Sequence, residues 1–314
     1  MKIDLTNAIY TNENKAREHL ENVRWPHGPY CPHCGEAESI TKMQGKSHRP
    51  GLYKCRSCRK PFSVTVGTLF ERSKVPLHKW VLATHLLCAS KKGISSHQLH
   101  RMLGVTYKTA WFMTHRIREA MREINPDPLG GKGKVVEADE TYWGGDKDVF
   151  VSEKGWVKGR GTKNSWKVLT LVEREGRARS FHVPDVKAAT LRQHIVTNVR
   201  RDSNLMTDEA RWYKKVGKEF ASHESVNHSI SEYVRGNAGT QTVENFYSIL
   251  KRGLTGVYQH VGKQHLKRYI CEFDFRYNTR SRLGVSDAER AAKALAGITG
   301  KRLTYRRTGE RRVA

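Results

Sequence analysis

Acidic residues are scarce in this chain: 31 Asp and Glu stand against 57 Lys and Arg over 314 residues, a formal net charge of +26. The imbalance excludes a neutral surface and points to a polyanionic partner. No stretch of about 18 apolar residues occurs, so no membrane-spanning helix is expected. The opening Met1-Lys2-Ile3-Asp4-Leu5 lacks the apolar core of a signal peptide. Aromatics are not scarce; at 9% they allow a packed core and argue against general disorder.

Cysteines are few, six in all, and four of them fall in two pairs. Cys31-Pro32-His33-Cys34 and Cys55-Arg56-Ser57-Cys58 are CxxC knuckles separated by 20 residues. That spacing is a zinc ribbon: four thiolates close a tetrahedral site at about 2.3 Å from one Zn²⁺. His27 and His33 are nearby candidates, but the cysteines already fill the site. Disulfides are the alternative, disfavoured because nothing indicates export. Cys88 and Cys271 lie in apolar helical patterns and read as inert core thiols.

The chain divides on this reading into residues 1–73, an N-terminal helix and the ribbon; 74–124, a helical domain; 125–134, a linker rich in Pro and Gly; 135–285, an α/β domain; and 286–314, a small helix and a basic tail. Within 74–124, Ser95 or Ser96 can cap a short helix ended by Gly104, and Thr106 can cap a longer one. A short helix, a glycine turn and a basic helix follow helix-turn-helix grammar, which would turn Tyr107, Lys108, Thr109 and Arg116 toward DNA. Residues 144–165 are rich in Gly and Lys and read as a long solvated loop, whose Lys158 and Arg160 would order against phosphates. Residues 301–312 read as a mobile basic tail.

Beyond the linker the predicted order is three strands, helix, strand, helix, strand, helix, the order of an RNase H-like fold. Asp139 closes the apolar run Val135-Val136-Glu137-Ala138, and Asp208 closes Asn204-Leu205-Met206-Thr207. Glu244 sits on a predicted helix, with 35 residues between it and Asp208. Two carboxylates at strand ends and a third on a helix suit two divalent cations about 3.5–4 Å apart, the arrangement for in-line displacement at phosphate. Mg²⁺ fits such an oxygen-only site, with Mn²⁺ as a substitute. Alternation puts Glu137 and Asp139 on one face of the strand and Glu140 on the other. Each acid taken singly is an ordinary cap or turn residue; the three in this order are not.

These motifs resemble the bacterial zinc-ribbon insertion-sequence transposases of the ISXO-like DDE group. The resemblance rests on the two knuckles, Val66-Gly67-Thr68-Leu69-Phe70-Glu71, Glu137-Ala138-Asp139-Glu140-Thr141-Tyr142-Trp143-Gly144-Gly145, Lys158-Gly159-Arg160-Gly161, Thr207-Asp208-Glu209, Thr240-Gln241-Thr242-Val243-Glu244-Asn245-Phe246 and Leu250-Lys251-Arg252-Gly253. It implies Asp139, Asp208 and Glu244 as catalytic Mg²⁺ ligands, with Lys251 and Arg252 at DNA. It further implies transposon-end and target double-stranded DNA as partners, a homodimer or larger synaptic assembly, and a cytoplasmic, nucleoid-associated location. Asn245 is the alternative third residue; Glu244 is favoured because Lys251 then follows at i+7 on the same helix face, about 10 Å along. The alternatives in function are a DNA-binding regulator with an inactive RNase H-like domain and a structure-specific nuclease on the same fold.

Overall fold

In the computed structural model the described residues are 4–144, 148–151, 155–158, 164–226, 234–235 and 238–304. They form two compact units, residues 1–122 with 280–314 and residues 123–279.

The first unit begins with α1 (Glu13–Arg24), capped by the Asn12 side chain. The ribbon follows as a three-stranded antiparallel sheet, β1 (Ile40–Lys42), β2 (Tyr53–Cys55) and β3 (Pro61–Phe62). Its core is aromatic: Trp25 meets the edges of Tyr53 and Phe62, which stack on each other at 5.7 Å. Three helices come next, α2 (Leu77–Ala89), α3 (Ser96–Leu103) and α4 (Tyr107–Met121). Ser95 Oγ accepts from Gln98 N, Gly104 takes the left-handed conformation at φ +59°, and Thr106 Oγ1 accepts from Thr109 N. Side-chain caps and a residue without Cβ thus make the turn that joins α3 to α4.

The second unit is built on a five-stranded sheet. Its strands are β4 (Val135–Trp143), β7 (Trp166–Glu173), β8 (Ala178–Val183), β9 (Asn204–Asp208) and β10 (Ser222–Val226), in the order β10-β9-β4-β7-β8. β4, β7 and β8 are antiparallel neighbours, while β9 and β10 run parallel to β4. A meander followed by parallel strands on its far side is the strand order of an RNase H-like fold. α5 (Ala188–Asn198) and α6 (Tyr213–Gly217) supply one hydrophobic cluster with Val136, Ala138, Leu169 and Leu171. α7 (Gln241–Gly253) and α8 (Lys263–Asn278) supply a second with Val168 and Val172. Both faces of the sheet are covered, as its parallel part requires.

Several segments depart from the expectation. β4 does not end at Asp139: Thr141-Tyr142-Trp143 are good strand formers, and they continue the ladder until Trp143 faces Trp166. Inside the stretch read as a loop, β5 (Asp148–Val151) and β6 (Gly155–Lys158) pair as a hairpin. The sequence expected as a linker belongs to the second unit, where Leu129 is fully buried. Gly130 N donates to Glu173 Oε2 and Gly131 N to Ser203 Oγ. A Cβ on Gly130 would come within 2.1 Å of Ser203 Oγ, so the position excludes a side chain.

The last segment returns to the first unit as α9 (Asp287–Ala296), packed on α2. Two cations secure it by satisfying carbonyls at helix ends. Arg290 donates to Cys88 O at 3.1 Å, and Lys301 Nζ to Ala120 O and Arg122 O at 2.8 and 2.5 Å. Lys301 is therefore a buried cap rather than the start of a free tail; residues 305–314 lie outside the described residues. Among the described residues no helix is long and apolar enough to cross a membrane.

Candidate active site

The acids lie where β9 stops and β4 runs on. β9 pairs with β4 from Val135 to Glu137, and among the described residues no strand pairs with that edge of β4 from Ala138 onward. Asp208, the last residue of β9, and Asp139 and Glu140 of β4 converge there, each offering an oxygen within 4.8 Å of the others. Asp139 and Glu140 alternate across the sheet, yet both reach the open edge.

Burial pushes the Asp139 carboxyl up to about 7; the Glu140 N–H opposes that, and the charges of Asp208 and Glu244 add to it while Lys251 subtracts. Burial likewise raises Glu140 to about 8, with the neighbouring Tyr213 hydroxyl and the Trp212 N–H opposing it and the charges of Asp139 and Asp208 adding. Crowded, half-buried carboxylates of this kind stay ionised together only beside compensating positive charge. The donor set, all oxygen, fits a hard divalent cation. Glu244 is not in the 4.8 Å group; it stands in the first turn of α7, exposed, with Thr240 Oγ1 donating to it at 3.3 Å. Its charge and that of Lys251 still act on Asp139.

α7 is held to the sheet at two points. Tyr247 donates its hydroxyl to Asp139 O at 2.5 Å. The other point is Glu137, 1% exposed, whose Oε2 accepts from Thr242 N and Val243 N at 2.8 and 3.0 Å. Its Oε1 accepts from Thr242 Oγ1 at 2.9 Å and from Arg174 Nε at 2.7 Å. α7 has no side-chain cap of its own, so a carboxylate from β4 satisfies its first N–H groups and its positive end.

The other expected residues are scattered. Lys251 and Arg252 are exposed on α7, two turns beyond Glu244. Tyr107 and Lys108 are exposed in the first turn of α4 and Thr109 is partly covered. Arg116 turns inward: its guanidinium lies 4.6 Å over Phe112, and its Nε donates to Leu303 O at 3.3 Å. Lys158 ends β6, and Arg160 lies outside the described residues. Glu140, Trp212 and Tyr213 were not picked from sequence; the crowding of acids around Asp139 was the available signal for the first.

In the ribbon the four sulfurs of Cys31, Cys34, Cys55 and Cys58 lie within 4.8 Å of one another. Cys31 Sγ and Cys58 Sγ are 3.6 Å apart, and Cys34 Sγ and Cys55 Sγ 3.7 Å. A tetrahedron of sulfurs at about 2.3 Å from zinc has edges of about 3.8 Å. The residues therefore fit one structural Zn²⁺, and His33 meets the group only through its backbone N–H.

Strand order, the acidic edge and the Cys₄ ribbon together define a DDE-type RNase H-like chain behind a zinc ribbon. Residues 128–278 match the ISXO2-like transposase domain, and residues 11–61 the transposase zinc-ribbon domain. A protein of transposable element ISH50 from Halobacterium salinarum is 30% identical over 277 residues, covering 85% of this chain and 91% of that one. A transposase-like protein of Haemophilus influenzae is 31% identical over 96 residues, 31% of this chain and 76% of its own. The chain belongs to the ISXO2-like transposase family. Among solved structures, a chain of the simian T-cell lymphotropic virus intasome is similar at TM-score 0.29 and 14% identity, over 57% of this chain and 63% of that one. The mariner Mos1 paired end complex with Mg is similar at TM-score 0.27 and 13% identity, over 93% and 94%. Both likenesses are loose, and the fold rests on the strand order.

Proposed function

We propose that the protein is a metal-dependent DNA transposase that cuts transposon ends and joins the freed 3′-hydroxyl to target DNA. The observation that carries this reading is the convergence of Asp139, Glu140 and Asp208 at one open strand edge, with Glu244 and Lys251 electrostatically coupled to it. Asp139 and Asp208 are the core ligands for a divalent pair, and Glu244, rather than Asn245, completes the set, with Lys251 following it at i+7 on the same face of α7. Such a pair, when bound, supplies positive charge to the attacking and leaving oxygens of an in-line displacement.

The chain's own residues position and neutralise. Glu137 and Tyr247 fix α7, so Glu244 and Lys251 are held at set heights beside the acids. Lys251 and Arg252 meet phosphates flanking the cut. In the first reaction water forms a bond to phosphorus, the bond to the 3′-oxygen breaks, and that oxygen leaves with a proton as a hydroxyl. In the second that hydroxyl attacks a target phosphodiester and displaces its 3′-oxygen in turn. The exposed start of α4, with Tyr107, Lys108 and Thr109, reads the transposon end as the second helix of a helix-turn-helix. Joining two ends requires at least two copies of the chain.

The test is an assay of cleavage and strand transfer with Mg²⁺ on duplex DNA carrying the inverted repeats that flank the gene. Wild type should give nicked and joined products. Asp139→Ala, Asp208→Ala and Glu244→Ala should each lose both while binding DNA as well or better, because each removes negative charge facing phosphate. Nicks without joined products would make it a nuclease; binding with neither product in any divalent cation would make it a regulator.

A further inference from the structure

Asp208 ends β9, and the chain turns at once: Ala210 N donates to Asp208 Oδ1 at 3.1 Å, and Tyr213 N to Ala210 O at 3.1 Å. The turn delivers two neighbouring aromatics to opposite environments. Tyr213 is fully buried in the sheet core. Trp212 stays out, 38% exposed, with Nε1 donating to Glu140 Oε1 at 3.2 Å. The indole is thus pinned along one edge to the acidic group while a large apolar surface faces solvent. Among the described residues of the second unit, Ile124 is the other large hydrophobic side chain this exposed. Exposed cations stand near it in sequence: Arg211 beside it, and Lys214, Lys215 and Lys218 along and just past α6.

A flat apolar ring held in place, bordered by cations, is the chemistry of a nucleobase platform: the cations track the backbone and the ring takes a base by its face. A base inside a duplex has both faces covered, so the ring can receive only a base that is terminal or turned out of the stack. We propose that Trp212 stacks on an unpaired nucleobase bordering the phosphate to be cut beside Asp139 and Asp208, and so sets the register of that strand. This rests on the transposase reading. The indole's hydrogen bond to Glu140 is the competing explanation for its position, and the two roles separate by substitution. Phenylalanine keeps a stacking face and loses the N–H; alanine loses both.

The probe is the same inverted-repeat duplex with 2-aminopurine at each nucleotide flanking the cut in turn. Wild type and Trp212→Phe should quench 2-aminopurine at one of these positions on binding, and Trp212→Ala should not. Loss of one stacked base should slow single-turnover cleavage by Trp212→Ala about ten- to a hundredfold, with Trp212→Phe within about threefold of wild type. An abasic nucleotide at the quenched position should slow wild type to the rate of Trp212→Ala and leave that variant unchanged. Equal losses in Phe and Ala, or a wild type that cleaves without quenching at any flanking position, would overturn the platform. Wild-type cleavage tests the transposase reading by itself. Asp139→Asn, inactive but still quenching, would support the platform independently of catalysis.

Discussion

Glu137→Ala is expected to unfold the second unit early and, while that unit is still folded, to disarm it. The carboxylate collects four hydrogen bonds at 2.7 to 3.0 Å, from Arg174, the Thr242 hydroxyl and two backbone N–H groups of α7. Removing one partner of a buried ion pair costs about 3–5 kcal/mol. Arg174 keeps a 31% exposed side chain and a bond to Gly239 O, so water screens its orphaned charge and the lower end applies, about 3 kcal/mol. Loss of a helix N-cap adds about 1 kcal/mol. For a unit of this size each kcal/mol moves the melting point by about 2–4 °C, so a fall of about 8–16 °C is expected.

Thermal melts followed by circular dichroism give the first readout; DNA cleavage well below both melting points gives the second. There the first turn of α7 is no longer tied to β4, so Glu244 loses its fixed height and cleavage should drop more than DNA binding does. Glu137→Gln should fall between the two, since one amide oxygen can serve about two of the donors while the NH₂ opposes the others. A melting point within about 2 °C of wild type would refute the energetic argument. A lowered melting point with full cleavage in the cold would refute the positioning argument.

Three further outcomes are expected. Cys55→Ser should release zinc and melt the ribbon and the Trp25–Tyr53–Phe62 cluster with it, leaving the second unit's transition in place, because the ribbon's folding energy is largely that of metal binding; zinc-free wild-type protein by elemental analysis would refute this. Burial pushes the Asp274 carboxyl up to about 7 against hydrogen bonds from Ser180, with Glu123 adding and Arg179 subtracting. Its unfolded value is near 3.8, so its contribution to stability is whole below that pH and is lost as pH rises through about 7, an upper limit of about 4 kcal/mol; Asp274→Asn should flatten the fall in melting point between about pH 4 and 7, and identical slopes would refute it. Lys108→Ala should weaken binding to the transposon end more than to random DNA, whereas Arg116→Ala should lower stability by about 1 kcal/mol through lost packing on Phe112, read by melts and by competition binding.

Local chemistry was the most legible part of the chain. The knuckles declare their ligands by spacing, and the caps Ser95 and Thr106 and the Gly104 stop are visible because each acts within four residues. The sheet faces were legible by alternation: Val136 and Ala138 face α5 and α6, and Glu137 reaches α7 on the other side. What sequence hid was decided across long separations. Leu129 lies among Pro and Gly residues that read as a linker, and only the second unit's core makes it buried. Arg116 has the same helical position as a DNA-facing residue, but its partner Leu303 lies 187 residues away. Lys301 reads as tail until the carbonyls at the end of α4 are seen beside it.

The acids show the same division. Asp139 and Asp208 could be chosen because hydrophobic runs lead into them, but their neighbours could be sorted only by what surrounds each one. Glu137 shares a face with Asp139, yet it meets helix N–H groups and Arg174 and is occupied as a structural anchor. Glu140 points to the opposite face, yet it joins the cluster because β9 ends before reaching it. Acid identity is therefore a poor guide along this strand, and the partner of each carboxylate is the better one. A carboxylate saturated by protein donors cannot also serve a cation without leaving those donors bare, at about 1–3 kcal/mol each. On that ground Glu137 is closed to metal, and the proposed ligands are sought among the acids that surround the open edge, Asp139 and Asp208 with Glu244 on α7.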